Sequence, residues 1–243
     1  MTRRRFFAPP SAFNFGKRTV TLASDEARHL REVLRLKPGD EVQVFDGEGK
    51  EFRAAVSQAR REFAELEIRD EIEAMRPESP LELTLAVALL KGEKFDLVVQ
   101  KGTELGVNQF VPLITRYADI RLRDEADGAK RVARWQRIAL EAAKQSGRAV
   151  VPQVTMPVPF ESVIRDNSCL LFSERDGQSL DTDSKLQSVT AIIGSEGGWS
   201  DEELDQARTS GVPIVTLGGR ILRAETAAIA TAALLQHRYG DLK

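Results

Sequence analysis

The 243-residue chain has one cysteine and two histidines. Cys169 has no partner for an intramolecular disulfide, and so small a Cys and His set argues against a structural zinc site, so no metal is expected. No apolar run is long enough to span a bilayer. The N-terminal Met1-Thr-Arg-Arg-Arg-Phe-Phe lacks the apolar stretch of a secretory signal. A soluble cytoplasmic protein with no membrane partner is the expectation. Internal repeats and low-complexity tracts are also absent. No lysine stands in the glycine loops where a phosphate-binding P-loop needs Gly-Lys-Ser/Thr, and neither loop reads Gly-x-Gly-x-x-Gly. A nucleotide-dependent oxidoreductase is therefore disfavoured.

What is present is an ordinary apolar fraction of 42%, enough for a proper core, in a length that suits one large domain or two smaller ones. Net charge is −2, but residues 1–37 hold nine Lys or Arg against three acids, a local charge of +6. Such a patch is either an electrostatic footprint for nucleic acid or a solvated surface. Thr19–Leu22, Glu41–Phe45, Glu51–Val56 and Ala64–Ile68 alternate as half-buried strands do. Asp46-Gly-Glu-Gly49 and Lys37-Pro-Gly-Asp40 read as turns. One helix interrupts them, with Ser24 as its expected N-cap and Arg28, Arg31 and Arg35 on one exposed face. Short strands with one helix suggest a small barrel over residues 1–73. A proline-marked linker, 74–80, separates it from residues 81–243, where strands and helices alternate as in a mostly parallel α/β sheet.

The last fifty residues are the most informative. Ala191-Ile-Ile-Gly-Ser-Glu-Gly-Gly-Trp-Ser200 and Ile214-Val-Thr-Leu-Gly-Gly-Arg-Ile-Leu-Arg-Ala-Glu-Thr-Ala-Ala228 each place a glycine loop between a strand and a helix. Glycine loops after successive strands suggest a ligand held at the carboxyl ends of a sheet. Glu196 in the middle of the first loop would repel phosphate. The loops fit a ligand without phosphate and with some positive charge, a description that S-adenosylmethionine meets. Ser200 and Glu203 form a capping box and need no further role. The final helix is alanine-rich on nearly every face, so it needs cover from the fold or from another subunit.

These two loops, with Lys91-Gly-Glu-Lys-Phe-Asp96, Gln100-Lys-Gly-Thr-Glu-Leu-Gly106, Glu141-Ala-Ala-Lys-Gln-Ser-Gly-Arg148 and His29-Leu-Arg-Glu-Val-Leu-Arg35, resemble the RsmE family of ribosomal RNA methyltransferases, of the SPOUT class. The resemblance covers almost the whole chain. It implies a PUA-like N-terminal barrel and a C-terminal α/β domain with a deep trefoil knot that binds S-adenosylmethionine. It also implies a homodimer that methylates N3 of a uridine in small-subunit (16S) ribosomal RNA, whether free or in an assembled 30S particle. A non-catalytic RNA-binding or ribosome-assembly factor with a methyltransferase-like domain is the alternative.

The resemblance places cofactor contacts on three segments. These are Leu171, Phe172, Ser173 and Glu174 after one strand, then Ile193, Gly194, Ser195, Glu196, Gly197 and Gly198 after the next. The third holds Leu217, Gly218, Ile221, Leu222, Arg223, Ala224 and Thr226. Arg223 and Arg148 are candidates for stabilising negative charge on the uracil ring, with a phosphate contact, a salt bridge or a helix C-cap as the other readings. The sequence names no catalytic base. Arg3, Arg4, Arg5, Arg28, His29, Arg31 and Arg35 are the candidate RNA contacts, although a lone His is more often structural, and Phe6 and Phe7 read as barrel core or as base-stacking rings.

Overall fold

Period-two burial builds the N-terminal sheet. The computed structural model describes residues 4–165, 168–180 and 186–243, and the chain divides into two compact units, Met1–Glu78 with Ala143–Val151, and Ser79–Ala142 with Pro152–Lys243. Arg3 lies outside the described residues.

In the first unit, β1 (Arg5–Phe7), β2 (Phe13–Asn14), β3 (Thr19–Leu22), β4 (Glu41–Phe45), β5 (Glu51–Ala59) and β6 (Ala64–Ile72) form a six-stranded sheet in the order β1-β4-β5-β6-β3-β2. Val20, Leu22, Val42, Val44, Phe52, Ala54, Val56, Leu66 and Ile68 point into its core together with Phe6. Register shifts between β5 and β6 after Arg53 and Val56 curl the sheet. The expected barrel is not closed: among the described residues β1 pairs only with β4 and β2 only with β3, so this is a half-barrel. Pro9 and Pro10 follow β1 and lead into a 3-10 turn, and proline has no N–H to extend a ladder.

The helix departs from the sequence reading. α1 runs Ser24–Arg28, begins on Ala23 without a side-chain cap, and gives way to a π-helical turn at His29–Val33. Ser24 is therefore not its N-cap. Arg35 has a φ of 54° beyond the helical residues, so Arg28, Arg31 and Arg35 do not form one helical stripe. Arg28, His29 and Arg35 are exposed, and Arg31 is half-buried beside Glu32 at 2.5 Å.

Arg5, expected on an RNA-facing surface, is instead buried in the first unit. Its guanidinium is 2% exposed and grips the fully buried Glu51 at 2.8 and 3.1 Å. It also donates to the Arg148 carbonyl at 2.9 Å and lies 3.9 Å from the Phe45 ring centroid. The other Glu51 oxygen environment is completed by the Met75 N–H at 3.1 Å. Arg148 in turn grips Glu78 at 2.6 and 3.0 Å, and Lys144 pairs with Glu26 at 2.6 Å. These buried and half-buried charges knit the ends of the unit together, because each is matched at short range.

In the second unit, β7 (Glu82–Ala88), β8 (Gln109–Ile114), β9 (Gln153–Val154), β10 (Val158–Pro159), β11 (Cys169–Phe172), β12 (Ser188–Ile193) and β13 (Ile214–Val215) form an all-parallel sheet. Its order is β10-β8-β7-β12-β11-β13, with β9 on β8. Both faces are covered, as parallel sheets require. α2 (Lys94–Glu104) packs on α5 (Ala224–Tyr239), and α5 lies against β7 and β12. Leu204 and Ala207 of α4 (Asp201–Thr209) join Phe160, Ile164, Trp199, Leu171 and Ile192 in a separate cluster. α3 spans Glu125–Ser146, and its last turn belongs to the first unit. No helix among the described residues is long and apolar enough to cross a membrane.

The alanine-rich α5 is only partly covered. Ala228, Thr231, Ala232, Leu235 and Gln236 are buried, whereas Ile229, Ala230, Ala233 and Leu234 stay half-exposed. Gln236 is its polar pin: its amide donates to the Gly106 carbonyl at 3.2 Å and accepts from Ser79 Oγ at 2.6 Å.

The Arg5–Glu51 pair generates a stability prediction. Glu51→Ala strands a buried guanidinium and should cost about 3–5 kcal/mol in urea unfolding. Exchanging both partners for apolar residues of similar volume should recover most of it. A loss below about 1 kcal/mol for the single variant, the scale of an exposed ion pair, would remove the pair from this role.

Candidate functional site

Three parallel strands end at one level, because Phe172 pairs with Ile193 and with Val215. The loops leaving β11, β12 and β13 therefore open together and enclose a cavity of about 460 Å³. That volume suits a small organic ligand.

The structure brings most of the expected residues to this cavity. Phe172, Ser173 and Glu174 line it from β11, and Ile193–Gly198 from β12. Leu217, Gly218, Ile221, Leu222, Arg223 and Ala224 line it from the segment after β13. Leu171 does not: it is fully buried in the sheet core with Cys169 and Ile192. Thr226 is exposed on the first turn of α5 and is not a lining residue, whereas Ala227 is. Arg148 is not a lining residue, and its guanidinium is committed to Glu78. Ile221 stands 85% exposed on the open side.

Lys94, Trp199, Thr216 and Arg220 also line the cavity and carry no assignment from sequence. Lys94, Trp199 and Arg220 lie within motifs quoted for the resemblance, which is the signal that could have found them. Trp199 is a wall: its Nε1 donates to the Phe172 carbonyl at 2.9 Å, and its ring packs on Phe160 at 5.1 Å. It thereby ties the β12 loop to the end of β11.

Gly197 and Gly198 serve close approach. A Cβ on Gly197 would sit 2.7 Å from Tyr117 Cβ and 3.1 Å from its carbonyl oxygen. The space there belongs to the chain and not to a ligand. Gly198 has a φ of +71°, and a Cβ on it would sit 3.1 Å from Glu174 Oε1. The capping box is present, with Ser200 Oγ accepting from the Glu203 N–H and Glu203 accepting from the Ser200 N–H. The second oxygen of buried Glu203 accepts from the Arg116 N–H at 2.8 Å and so holds the segment that presents Tyr117.

The charges around the cavity are unequal. Glu196 accepts from Lys94 Nζ at 2.7 Å and from the Lys91 N–H at 3.3 Å. Partial burial pushes its carboxyl up, but the hydrogen bonds from Lys94 and from its own and Lys91's backbone, with the Lys94 charge, outweigh this. The carboxyl stays below the usual carboxylate range, so it is ionised at neutral pH. Lys91 is raised by its hydrogen bond to and the charge of Asp119 at 2.7 Å, despite some desolvation, with a further contribution from the charge of Glu196. Glu174, Arg220 and Arg223 have no ion pair among the described residues. Two hydroxyls of lining residues, Ser195 Oγ and Thr216 Oγ1, are buried with no hydrogen-bond partner among the described residues. Buried polar groups are normally satisfied, so these fit a polar ligand.

A family model described as an RNA methyltransferase domain matches residues 77–236, and one described as an RNA methyltransferase PUA domain matches residues 22–69. Ribosomal RNA small subunit methyltransferase E of Synechocystis is 36% identical over 228 residues, covering 90% of this chain and 72% of that protein. The chain belongs to the ribosomal RNA small subunit methyltransferase E family. The family member from Rickettsia conorii is 30% identical, with 88% of each chain covered. The family's crystal structure from Neisseria gonorrhoeae, bound to S-adenosyl methionine, superposes with a TM-score of 0.87 at 35% identity, over 99% of this chain and 100% of that one. A putative methyltransferase from Legionella pneumophila, in complex with the bound cofactor SAM, gives 0.88 at 31% over 100% of both.

For this family member, the Gly197 contact is testable without a ligand. Gly197→Val drives a branched side chain into Tyr117 and should cost about 1–3 kcal/mol in urea unfolding. Amides of residues 115–118 should exchange faster. A variant as stable as the parent would show that Tyr117 does not lie against this loop.

Proposed function

We propose that this chain transfers a methyl group from S-adenosylmethionine to N3 of a uridine in small-subunit ribosomal RNA. The observation that carries the reading is the cavity at the ends of β11, β12 and β13, with its two orphaned hydroxyls and no phosphate-binding lysine loop. Family membership and the cofactor in the two superposed relatives support it. Phe172, Ser173, Glu174, Ile193–Gly198, Leu217, Gly218, Leu222 and Ala224 would hold the cofactor through backbone groups and apolar side chains. Glu174, free of any ion pair among the described residues, would face its cationic half. When bound, the cofactor supplies an electrophilic methyl group.

The chain's own work is then positioning and charge. Aligning nucleophile, methyl carbon and sulfur accounts for much of such a rate. The uridine nitrogen must lose its proton, and negative charge builds on the ring oxygens. Arg223 and Arg220, at the cavity and free of ion pairs among the described residues, would stabilise that charge. The Lys94–Glu196 pair contributes to the lining as a neutral unit.

The finer architecture is part of the proposal. Residues 1–73 form the RNA-binding domain and 81–243 the catalytic one, except that 143–151 pack with the first unit; family matches that end at residue 69 and begin at residue 77 support the division. A deep trefoil knot at the site is supported by the chain path: Gln178 bridges to Val215, β13 is at the sheet edge, and α5 returns to β7 and β12. A homodimer is supported by the half-exposed Ile229, Ala230, Ala233 and Leu234 of α5. The substrate is ribosomal RNA of the 30S subunit in the cytoplasm, bound through exposed cations including Arg4, Arg28 and Arg35, with His29 beside them.

Nucleoside mass spectrometry tests the reaction. Small-subunit RNA, free and in particles, should gain 3-methyluridine on incubation with the protein and S-adenosylmethionine. Cofactor binding by calorimetry without any methylation would favour the assembly-factor reading.

Sedimentation tests the assembly. The parent should run at twice the 27.0 kDa chain mass, and Ile229→Asp with Leu234→Asp should shift it to the monomer. An active monomeric parent would refute the dimer.

A further inference from the structure

Phe15 is 62% exposed, although it is one of three clustered rings. It stacks on Phe13 with centroids 5.8 Å apart and planes at 19°, and it leans on the buried Phe52 at 5.9 Å. Phe13 also meets Phe52 at 5.2 Å and packs against the half-barrel core. The inner face of Phe15 is thus held by rings, and its outer face is open.

The backbone holds the ring in place. The Lys17 N–H donates to the Asn14 side chain at 3.0 Å and to the Asn14 carbonyl at 3.2 Å. The Arg18 N–H donates to the Phe15 carbonyl at 3.2 Å, Arg18 takes a φ of 54°, and its carbonyl accepts from Ile68 at 2.8 Å. The guanidinium of Arg18 also donates to the Arg69 carbonyl. Arg69 is paired with Glu67, whereas Lys17 and Arg18 are exposed and form no ion pair among the described residues. This end of the sheet therefore carries one open ring and, in the same turn, two exposed cations without an ion pair among the described residues.

A singly exposed phenylalanine needs no explanation. A ring pre-stacked on a second ring, in a hydrogen-bonded turn and flanked by cations, matches the chemistry of single-stranded RNA recognition. There, aromatic faces take bases and nearby cations take the backbone. We propose that Phe15 is a stacking platform for an unpaired RNA base, with Lys17 and Arg18 on the adjoining phosphates. The inference rests on the reading of this chain as an RNA-binding enzyme and adds a contact outside the cavity. Stacking tolerates any base, so this site positions RNA and does not select its sequence.

The test is fluorescence anisotropy with a fluorescein-labelled single-stranded oligoribonucleotide of mixed sequence and with its duplex. Phe15→Leu keeps apolar cover over Phe13 and Phe52 but loses the flat face. It should weaken single-strand binding by at least about fivefold and leave duplex binding unchanged. Phe15→Trp should bind as the parent does, with indole emission quenched by RNA beyond any change in the parent. Lys17→Ala with Arg18→Ala should lower the salt slope by about one unit or slightly less per contact. Phe15→Leu binding with parental affinity overturns the platform. A Phe15→Leu variant that binds RNA normally but dissociates in sedimentation makes the patch a protein contact, which also overturns it. A parent that binds neither probe removes the RNA reading itself, and the platform falls with it.

Discussion

Phe172 pairs with Ile193 on one side and with Val215 on the other, so β11, β12 and β13 stop at one level. A shift of one residue on either side would move Leu171 and Ile192 to the opposite face of the sheet, away from the cluster they share with Trp199 and Leu204. The apolar core thus sets where three loops emerge. Trp199 then ties two of them together through the Phe172 carbonyl, and Tyr117 packs on Gly197 of the β12 loop. Polar groups that a ligand would engage are positioned by packing that involves no ligand.

The charged groups divide the same way. Those that shape the fold are paired, fully buried in Arg5 and Glu51 and partly so in Arg148 and Glu78. Those open to an anion are left unpaired at the cavity, as Arg220 and Arg223 are. Glu196 is intermediate: it lines the cavity, but Lys94 neutralises it. An acid in a cofactor loop is therefore not by itself a contact for a cationic ligand.

Sequence pattern carried the larger elements well. The alternating segments Thr19–Leu22 and Glu41–Phe45 become β3 and β4, and the Ser200–Glu203 capping box starts α4. The short pieces were illegible, because two-residue strands such as β2, β9 and β10 are too brief for any period. Side-chain roles failed where local context competes with tertiary pairing. Arg5 and Arg148 look like surface cations, but their partners lie 46 and 70 residues away in the sequence. The π turn at His29 broke the arginine stripe, since a periodicity of 3.6 assumes an unbroken α-helix. At the cavity, both glycine loops supply lining residues, Arg220 among them, while Thr216 at the end of β13 drew no assignment because a short polar residue before a loop carries no pattern of its own.

The return of residues 143–151 to the first unit bears on how the chain is made. Arg5 reaches the Arg148 carbonyl, Gly47 bridges to Val150, and Lys144 meets Glu26. A ribosome delivers these residues only after β7, α2 and β8 have emerged. The N-terminal sheet is therefore synthesised early and completed late. Its last contacts arrive on the far end of a helix that begins in the other unit. Folding of the two units is interleaved during translation, in contrast to the domain-by-domain order of simple tandem proteins.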